Sequence, residues 1–160
     1  MISVGSLKSS GIRRRAAAVH EALARANFDR DARFLSTIFV ASRKWELHTC
    51  EFPIIDVTFN GTRPLRVRLT CDNWDELAPS ADLFKPGSLE PAKGLPGGIF
   101  HQGPHPTTHR PFVCMRGFRE YHTHSGHLGD SWATYRGQDG MNLSGLLDQL
   151  SCAWRKAVGT

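Results

Sequence analysis

The prolines of this 160-residue chain are unevenly distributed, and their distribution limits the fold more than any other feature. Six of the nine prolines lie between Asn73 and Arg110, where Gly94, Gly97 and Gly98 accompany them. Proline removes a backbone donor and pushes the preceding residue into an extended conformation, which excludes a helix from this segment. Since apolar residues recur along it, we expect an ordered, proline-stiffened loop. Long loops of this kind usually carry function.

Four short runs rich in β-branched and aromatic residues precede this loop, between Arg33 and Cys71. In order they are FLSTIFV, WELHTCEF, IIDVTF and LRVRL, a composition typical of β-strands. The pair Asn60-Gly61 separates the last two runs and predicts a tight hairpin turn, because both residues accept positive φ. We therefore expect an antiparallel meander with one face on a core and the other nearer water.

Two segments outside the meander have helical periodicity. The alanine-rich segment from Ile12 to Asn27 contains neither glycine nor proline and predicts a helix. The second helix is predicted after Asn142, a plausible N-cap, from an apolar stripe. Its members are Leu143, Leu146, Leu147, Leu150, Trp154 and Ala157. We expect a flexible lead-in over residues 1–11 and one domain over residues 12–160, with an α+β fold.

Charge and composition narrow the classes of partner. The net charge is +5, which favours acidic partners, yet the basic residues are scattered apart from Arg13, Arg14 and Arg15. No nucleic-acid-binding motif accompanies these arginines. No run approaches the roughly 20 apolar residues of a membrane helix, and the first residues do not resemble a secretory signal. We expect a cytoplasmic protein that binds neither nucleic acid nor membrane.

The four cysteines stand far apart and include no Cys-x-x-Cys pair, so we expect reduced thiols rather than a disulfide framework. Cys50, Cys71 and Cys152 lie in apolar or strand-like stretches, where a thiol behaves as a small hydrophobic group. We predict that these three are buried and inert. Cys114 lies instead in the histidine-rich segment of residues 101–127.

Six of the eight histidines lie within residues 101–127. In the densest part, one thiol, one carboxylate and two imidazoles fall within eleven residues: Cys114, Glu120, His122 and His124. If residues 120–124 are extended, the three polar side chains of that segment point to one face, because strand side chains alternate.

Two chemistries suit such a face. Together the four residues are a reasonable ligand set for a structural zinc ion. Alternatively, Cys114 is a nucleophile whose pKa is lowered by Arg116, Arg119 and the histidines, with the carboxylate and imidazoles steering or deprotonating an incoming amine. A serine hydrolase is excluded because no G-x-S-x-G sequence occurs, and no phosphate-binding glycine loop is present.

The order of these features resembles the ubiquitin-conjugating enzymes. The matching residues are His105-Pro106, the cysteine in Phe112–Met115, Trp132 and the leucine-rich segment Leu143–Leu150, and the cysteine is the ninth residue after the histidine. The Cys-Glu-His-His spacing is more closely similar to a bacterial family catalogued as a predicted metal-binding domain. That family is associated with ubiquitin-like proteins, activating enzymes and deubiquitinase-like peptidases.

The resemblance implies a ubiquitin-conjugating-enzyme-like fold and a cysteine-dependent acyl transferase without a cofactor. Cys114 would accept a ubiquitin-like modifier from an activating enzyme and pass it to an amine of a target protein. Arg13, Arg14 and Arg15 would contact the activating enzyme. The family's asparagine after His-Pro is Thr107 here, so the donor to the oxyanion is unassigned, and His122 or His124 is a candidate.

Two alternatives to the conjugating enzyme remain open from the sequence. The first is a zinc-binding module that uses Cys114, Glu120, His122 and His124 and has no conjugating activity. The second is a scaffold of the same fold in which Cys114 is buried and unreactive.

Overall fold

The computed structural model describes residues 5–159, with the side chains of residue 13 and of residues 20–159. The helices are α1 (Gly5–Ala32), α2 (Thr37–Ser42), α3 (Arg119–Thr123) and α4 (Leu143–Val158). The strands are β1 (Trp45–Glu51), β2 (Ile54–Phe59), β3 (Leu65–Thr70), β4 (Ser80–Phe84), β5 (Phe100–His101) and β6 (Phe112–Val113). Short 3-10 turns cover Ser125–His127 and Trp132–Thr134. The fold is α+β, as the sequence predicts.

The first four strands form an antiparallel meander in the order β1-β2-β3-β4, and β5 pairs with β6 in a separate two-stranded sheet. In the meander Val57 lies opposite Val67, and both side chains are fully buried. The predicted hairpin between β2 and β3 exists, but the prediction of a tight turn is wrong. Phe59 pairs with Leu65, which leaves a five-residue connection, and neither Asn60 nor Gly61 has positive φ.

The run FLSTIFV is not a strand, which corrects the prediction. Its second half belongs to α2, where the Ser36 side chain caps the helix by accepting the Phe39 N–H at 3.2 Å. Of the α2 residues only Val40 is buried, and Ile38 is largely exposed. The β-branched content favours a strand, but one-sided burial and the serine cap favour a helical turn.

The proline-rich segment contains no helix in the described structure, as predicted, but it is more regular than expected. Strand β4 lies within it and alternates buried Ala81 and Leu83 with half-buried neighbours. Strand β5 begins at Phe100, near its end. Pairing with β3 and burial of one face in the core therefore form a strand between two prolines, Pro79 and Pro86.

Helix α4 covers the core as the apolar stripe predicts. Asn142 is its N-cap, with the side-chain oxygen accepting the Gly145 N–H at 2.8 Å. The leucines of the stripe are fully buried, and Trp154 is almost so. The core joins α4 to the meander, to Phe28 of α1 and to Phe118 before α3.

Helix α1 includes the predicted segment 12–27 and is longer than it at both ends. It packs through Ala24 and Phe28, whereas Leu23 is half exposed. Asp31 near its end accepts the Trp74 indole N–H at 2.9 Å, which ties the helix to the turn after β3. Over residues 5–159, no helix is both long and apolar enough to cross a bilayer.

Candidate functional site

Cys114 follows strand β6 directly. Its N–H donates to the Ile99 carbonyl at 2.7 Å, which extends the β5-β6 pairing to the cysteine, and its side chain is half buried. Burial raises the pKa of the thiol above its ordinary value. A thiol that is within reach of solvent but mostly protonated needs a base, or a change of surroundings, before it becomes a nucleophile.

The arginines expected to lower the pKa of Cys114 form ion pairs with aspartates. Arg116 forms an ion pair with Asp130 at 3.2 Å. Arg119 forms one with Asp72 at 2.6 Å and donates to the Ala78 carbonyl at 3.0 Å. The predicted depression of the pKa of Cys114 by these residues is therefore wrong, because carboxylates neutralise both guanidinium groups and burial dominates.

The other cysteines agree with their predicted burial only in part. None of the four is in a disulfide. Cys71 is buried, as predicted, and burial raises the pKa of its thiol strongly. Cys50 is only half buried, and Cys152 is exposed on α4, so the prediction of burial is wrong for Cys152. Cys152 lies away from the α4 stripe that faces the core.

The extended conformation predicted for residues 120–124 is also wrong. Residues 119–123 form α3, a helix of about one and a half turns. Side chains two positions apart therefore leave the helix in different directions. The described residues include no group of three or more His, Cys, Asp or Glu side chains that could hold a metal ion. The four proposed zinc ligands are therefore not brought together as a ligand set.

Glu120 lies in the interior, with only 2% of its surface exposed. Its carboxylate accepts the Ser80 hydroxyl in a short hydrogen bond and the Ala81 N–H at 3.2 Å. Burial raises the pKa of this carboxyl despite these bonds. Glu120 joins α3 to the start of β4 and does not reach a surface where a target amine could meet it.

His122 uses both ring nitrogens. Nδ1 lies 2.7 Å from the Asp130 carbonyl, and Nε2 accepts the Gly117 N–H at 3.1 Å. The ring therefore carries its proton on Nδ1 and bridges the segment after Cys114 to Asp130. A histidine engaged in this way orients a loop and has no nitrogen left for a substrate.

His124 has one nitrogen available. Its Nδ1 accepts the Gly126 N–H at 3.1 Å, so the neutral ring carries its proton on Nε2, which has no hydrogen-bond partner among the described residues. The ring stacks on Phe112, with centroids 5.9 Å apart. Phe112 lies two residues before Cys114 in the chain.

His105 is completely buried and anchors the proline-rich loop. Nδ1 accepts the N–H groups of Thr107 and Thr108 at 3.1 and 3.3 Å, and Nε2 donates to the Glu120 carbonyl at 3.0 Å. Burial lowers the pKa of this imidazole. The His-Pro step therefore links the loop to α3, and the Thr107 backbone takes part in that link.

Asp130 is a residue of this region that sequence reasoning missed. Its carboxylate accepts the Tyr135 hydroxyl at 2.5 Å, the Tyr121 hydroxyl at 2.7 Å and the Arg116 guanidinium. These tyrosine hydrogen bonds, with help from Arg116, lower the pKa of Asp130 to about 2. Its partners lie at irregular spacings along the chain, so no periodic pattern indicates them.

The arginines proposed to contact an activating enzyme lie on α1. The side chain of Arg13 is exposed. The side chains of Arg14 and Arg15 lie outside the described residues.

The C-terminal part of the chain resembles known proteins. Residues 101–158 match the Y4jH-like family, described as the Y4jH family. Over 41 residues the chain is 44% identical to a protein of Sinorhizobium fredii (strain NBRC 101917 / NGR234) named "Uncharacterized protein y4jH". That alignment covers 26% of this chain and 20% of the relative, so the chain spans about a fifth of the length of the relative it matches.

The family match begins at His101 and extends to the end of α4. It therefore includes Cys114, His105 and the segment 119–135 that surrounds Asp130. The chain is similar to this family over about a third of its length, in the part that carries its candidate site. Identity as a ubiquitin-conjugating enzyme stays a prediction.

Proposed function

We propose that the chain is a conjugating enzyme for a ubiquitin-like protein, with Cys114 as the acceptor of the modifier. The observation that carries the proposal is the environment of Cys114. The thiol is half buried at the end of β6, and the backbone on both sides of it is held by hydrogen bonds, through Ile99 before and through Gly117 and His122 after. An acyl carrier needs a thiol that is accessible and fixed in position.

The fold supports the same proposal. An N-terminal helix, a four-stranded antiparallel meander, a loop anchored by a His-Pro step, a cysteine and a C-terminal helix occur in the order typical of ubiquitin-conjugating enzymes. A zinc module has less support, because the four candidate ligands do not form a metal-binding group.

In the proposed reaction, the sulfur of Cys114 attacks the thioester carbonyl that joins the modifier to its activating enzyme. The thiol of the activating enzyme leaves and takes up the proton that Cys114 loses. In the second step a target amine attacks the new thioester, an amide forms, the C–S bond breaks, and a proton from the amine returns to the sulfur. Acyl transfer of this kind depends mainly on positioning and on proton transfer.

In this reaction the residues around Cys114 have roles that differ from those predicted from the sequence. Glu120 and His122 are positioning residues, because one is buried and the other has both nitrogens occupied. His124 is the better candidate for the donor to the oxyanion, since its neutral ring presents an N–H at Nε2. This role replaces that of the family's asparagine, which is Thr107 here.

The proposal is tested by loading with the cognate activating enzyme, ATP and modifier. We expect a reductant-sensitive adduct on the wild-type chain and none on Cys114→Ala, because the alanine variant has no sulfur to acylate. Cys152→Ser is the matched control, since it removes an exposed thiol and should leave the adduct intact. A reductant-sensitive adduct on Cys114→Ala would contradict the assignment.

A second variant tests the role of His124. His124→Ala should leave the adduct yield close to that of the wild type and slow its discharge to a free amine. Loss of an oxyanion donor typically costs about 10²–10³-fold in rate. His127→Ala is the control, since His127 is a neighbouring half-buried ring outside the proposed donor set. Equal discharge rates for the two variants would contradict the role of His124.

A further inference from the structure

A cavity of about 330 Å³ lies where the end of α1, the turn after β3 and the loop before α4 meet. Trp74 and Trp132 line it, with ring centroids 5.7 Å apart, and both residues are more than 90% buried. The loop contributes Gly137 and Gly140, which both have a φ of 77°. This volume is at the lower end of the range for ligand pockets, so the cavity suits one side chain or a molecule of similar size.

The charges that line this cavity are mainly negative, although the chain as a whole carries a net charge of +5. Among the described residues that line it, the charged groups are three carboxylates and one guanidinium: Asp31, Asp75, Asp139 and Arg30. The nearby Arg136 does not alter this balance, because it pairs with Glu76 at 2.8 Å. A small cavity with an excess of carboxylates favours a cationic ligand.

The carboxylate of Asp75 has the weakest contacts for its burial. Its side chain is only 14% exposed, and it meets Asn27 at 3.3 Å, Arg136 at 3.3 Å and Arg30 at 3.5 Å. The more exposed Asp148, by comparison, pairs with an arginine at 2.7 Å. A carboxylate offers about four lone-pair sites, and strong hydrogen bonds to it are short. Asp75 can therefore accept from a further donor.

The tryptophans offer a ligand the faces and edges of their rings. The Trp74 indole N–H donates to Asp31 at 2.9 Å, and the Trp132 indole N–H donates to the Asp75 carbonyl at 2.8 Å. Both N–H groups are thus already paired. Cations bind over the faces of indole rings, and a planar guanidinium can stack there while it donates to a carboxylate. A compact, strongly hydrated ammonium suits this combination less well.

We propose that this cavity binds the guanidinium group of an arginine side chain or of a small free guanidine. The Asp75 carboxylate accepts its N–H groups, and the rings of Trp74 and Trp132 contact its plane. This binding site goes beyond the proposed function and does not depend on the role of Cys114. Its test needs neither an activating enzyme nor a modifier.

The experiment titrates the isotope-labelled protein with N-acetylarginine amide and follows the indole N–H resonances of the four tryptophans by NMR. The resonances of Trp74 and Trp132 should shift and saturate with a dissociation constant of about 1 mM, as expected for a ligand of few atoms. Trp45 and Trp154 do not line the cavity, so their resonances are internal controls that should stay in place. The absence of saturable shifts at Trp74 and Trp132 would overturn the proposal.

Two related probes test the recognition without any change to the protein. N-acetylcitrulline amide has nearly the same shape without the charge, and it should bind about tenfold more weakly or worse, because hydrogen bonds between charged groups are lost. N-acetyllysine amide carries the charge without the plane and should also bind more weakly. Equal affinity for the citrulline probe, or equal or tighter binding of the lysine probe, would overturn the proposal.

The variant Asp75→Asn tests the assigned acceptor. It should weaken binding of N-acetylarginine amide by about tenfold or more, because the carboxylate is gone while the backbone carbonyl still accepts the Trp132 indole. Asp148→Asn is the matched control, since it removes a carboxylate paired with Arg43 outside the cavity and should leave the affinity unchanged. Wild-type affinity in Asp75→Asn would overturn the proposal. If this variant does not fold, the citrulline probe remains decisive.

The two sources of the guanidinium are distinguished by two further titrations. Tighter binding of the capped peptide Gly-Arg-Gly than of butylguanidine would support an arginine of a partner protein as the ligand. Tighter binding of butylguanidine would support a small free guanidine. Failure of both to shift the Trp74 and Trp132 resonances would overturn the proposal.

Discussion

At the scale of single residues, His105 shows how one buried ring fixes a loop. Its Nδ1 accepts two backbone N–H groups, and its Nε2 donates to the Glu120 carbonyl. Only the neutral ring satisfies all three bonds, because a proton on Nδ1 would face the N–H groups of Thr107 and Thr108. The neighbouring rings of His109 and His124 also oppose a positive charge there.

This arrangement predicts a dependence of stability on pH. Burial lowers the pKa of His105 in the folded chain below its ordinary value of 6.5, so the unfolded chain binds the proton more readily. The stabilisation is fully present above pH 6.5 and is lost as the pH falls from there through the folded pKa. We expect the free energy of unfolding, from urea titrations, to decrease between pH 7.5 and pH 5.5.

The variant His105→Gln should be less stable at pH 7.5 and should show a flatter pH dependence over this range. The control is His20→Gln, because His20 is exposed on α1 and should leave the wild-type slope unchanged. Equal slopes for His105→Gln and the wild type would show that His105 is not the group responsible.

At the scale of elements, α3 depends on β4. The Glu120 carboxylate accepts from Ser80 and Ala81, and the Arg119 N–H donates to the Pro79 carbonyl at 2.9 Å. A helix of five residues is too short to be stable by itself, so these bonds to the edge of the sheet supply its support. Helix α3, which follows Cys114, is thereby tied to the four-stranded sheet.

Loss of this anchor should destabilise the protein. Glu120→Ala leaves a buried hydroxyl and a buried N–H without an acceptor, which costs about 1–3 kcal/mol of unfolding free energy. Glu120→Gln keeps an acceptor oxygen and should lose less. Glu90→Ala, at an exposed carboxylate paired with Lys85, should change the free energy of unfolding far less than Glu120→Ala, because solvent screens an exposed ion pair. Similar losses for Glu120→Ala and Glu90→Ala in urea unfolding would contradict the anchoring role.

The elements also show which parts of the fold were predictable. Strand β3 and helix α4 follow from local patterns, because each has a clear face that the core buries. Strands β1 and β2 follow from their β-branched and aromatic composition, since β1 is buried only at Trp45 and β2 is buried at almost every position. The sequence does not reveal β4, because Pro79 and Pro86 flank it and obscure a real alternation. The composition of the α2 segment favours a strand, whereas its conformation depends on a serine cap and on contacts with β1.

At the scale of the whole molecule, the candidate site was predicted in part. The sequence identifies Cys114, the His-Pro step and the histidine cluster, because these residue types are unusual together. It does not reveal that Glu120 faces the interior or that Asp130 gathers Arg116, Tyr121 and Tyr135. Such contacts join segments through a loop without periodic structure, and loop contacts are decided by the tertiary fold.

The molecule as a whole also offers four thiols that differ in exposure. Cys152 is the exposed one, Cys71 is buried, and Cys50 and Cys114 are half buried. Exposure by itself would favour Cys152 for acylation. We instead assign the acceptor role to Cys114, because hydrogen bonds to Ile99 before it and between Gly117 and His122 after it fix the backbone on both sides.

The most direct test of this assignment is to locate the modifier by peptide mass mapping after loading with activating enzyme and ATP. We predict that the modifier's C-terminal carboxyl is joined to Cys114, while Cys152 remains free despite its greater exposure. Occupancy at Cys152 or Cys50 instead, or no occupancy at all with an activating enzyme that has itself become charged, would contradict it.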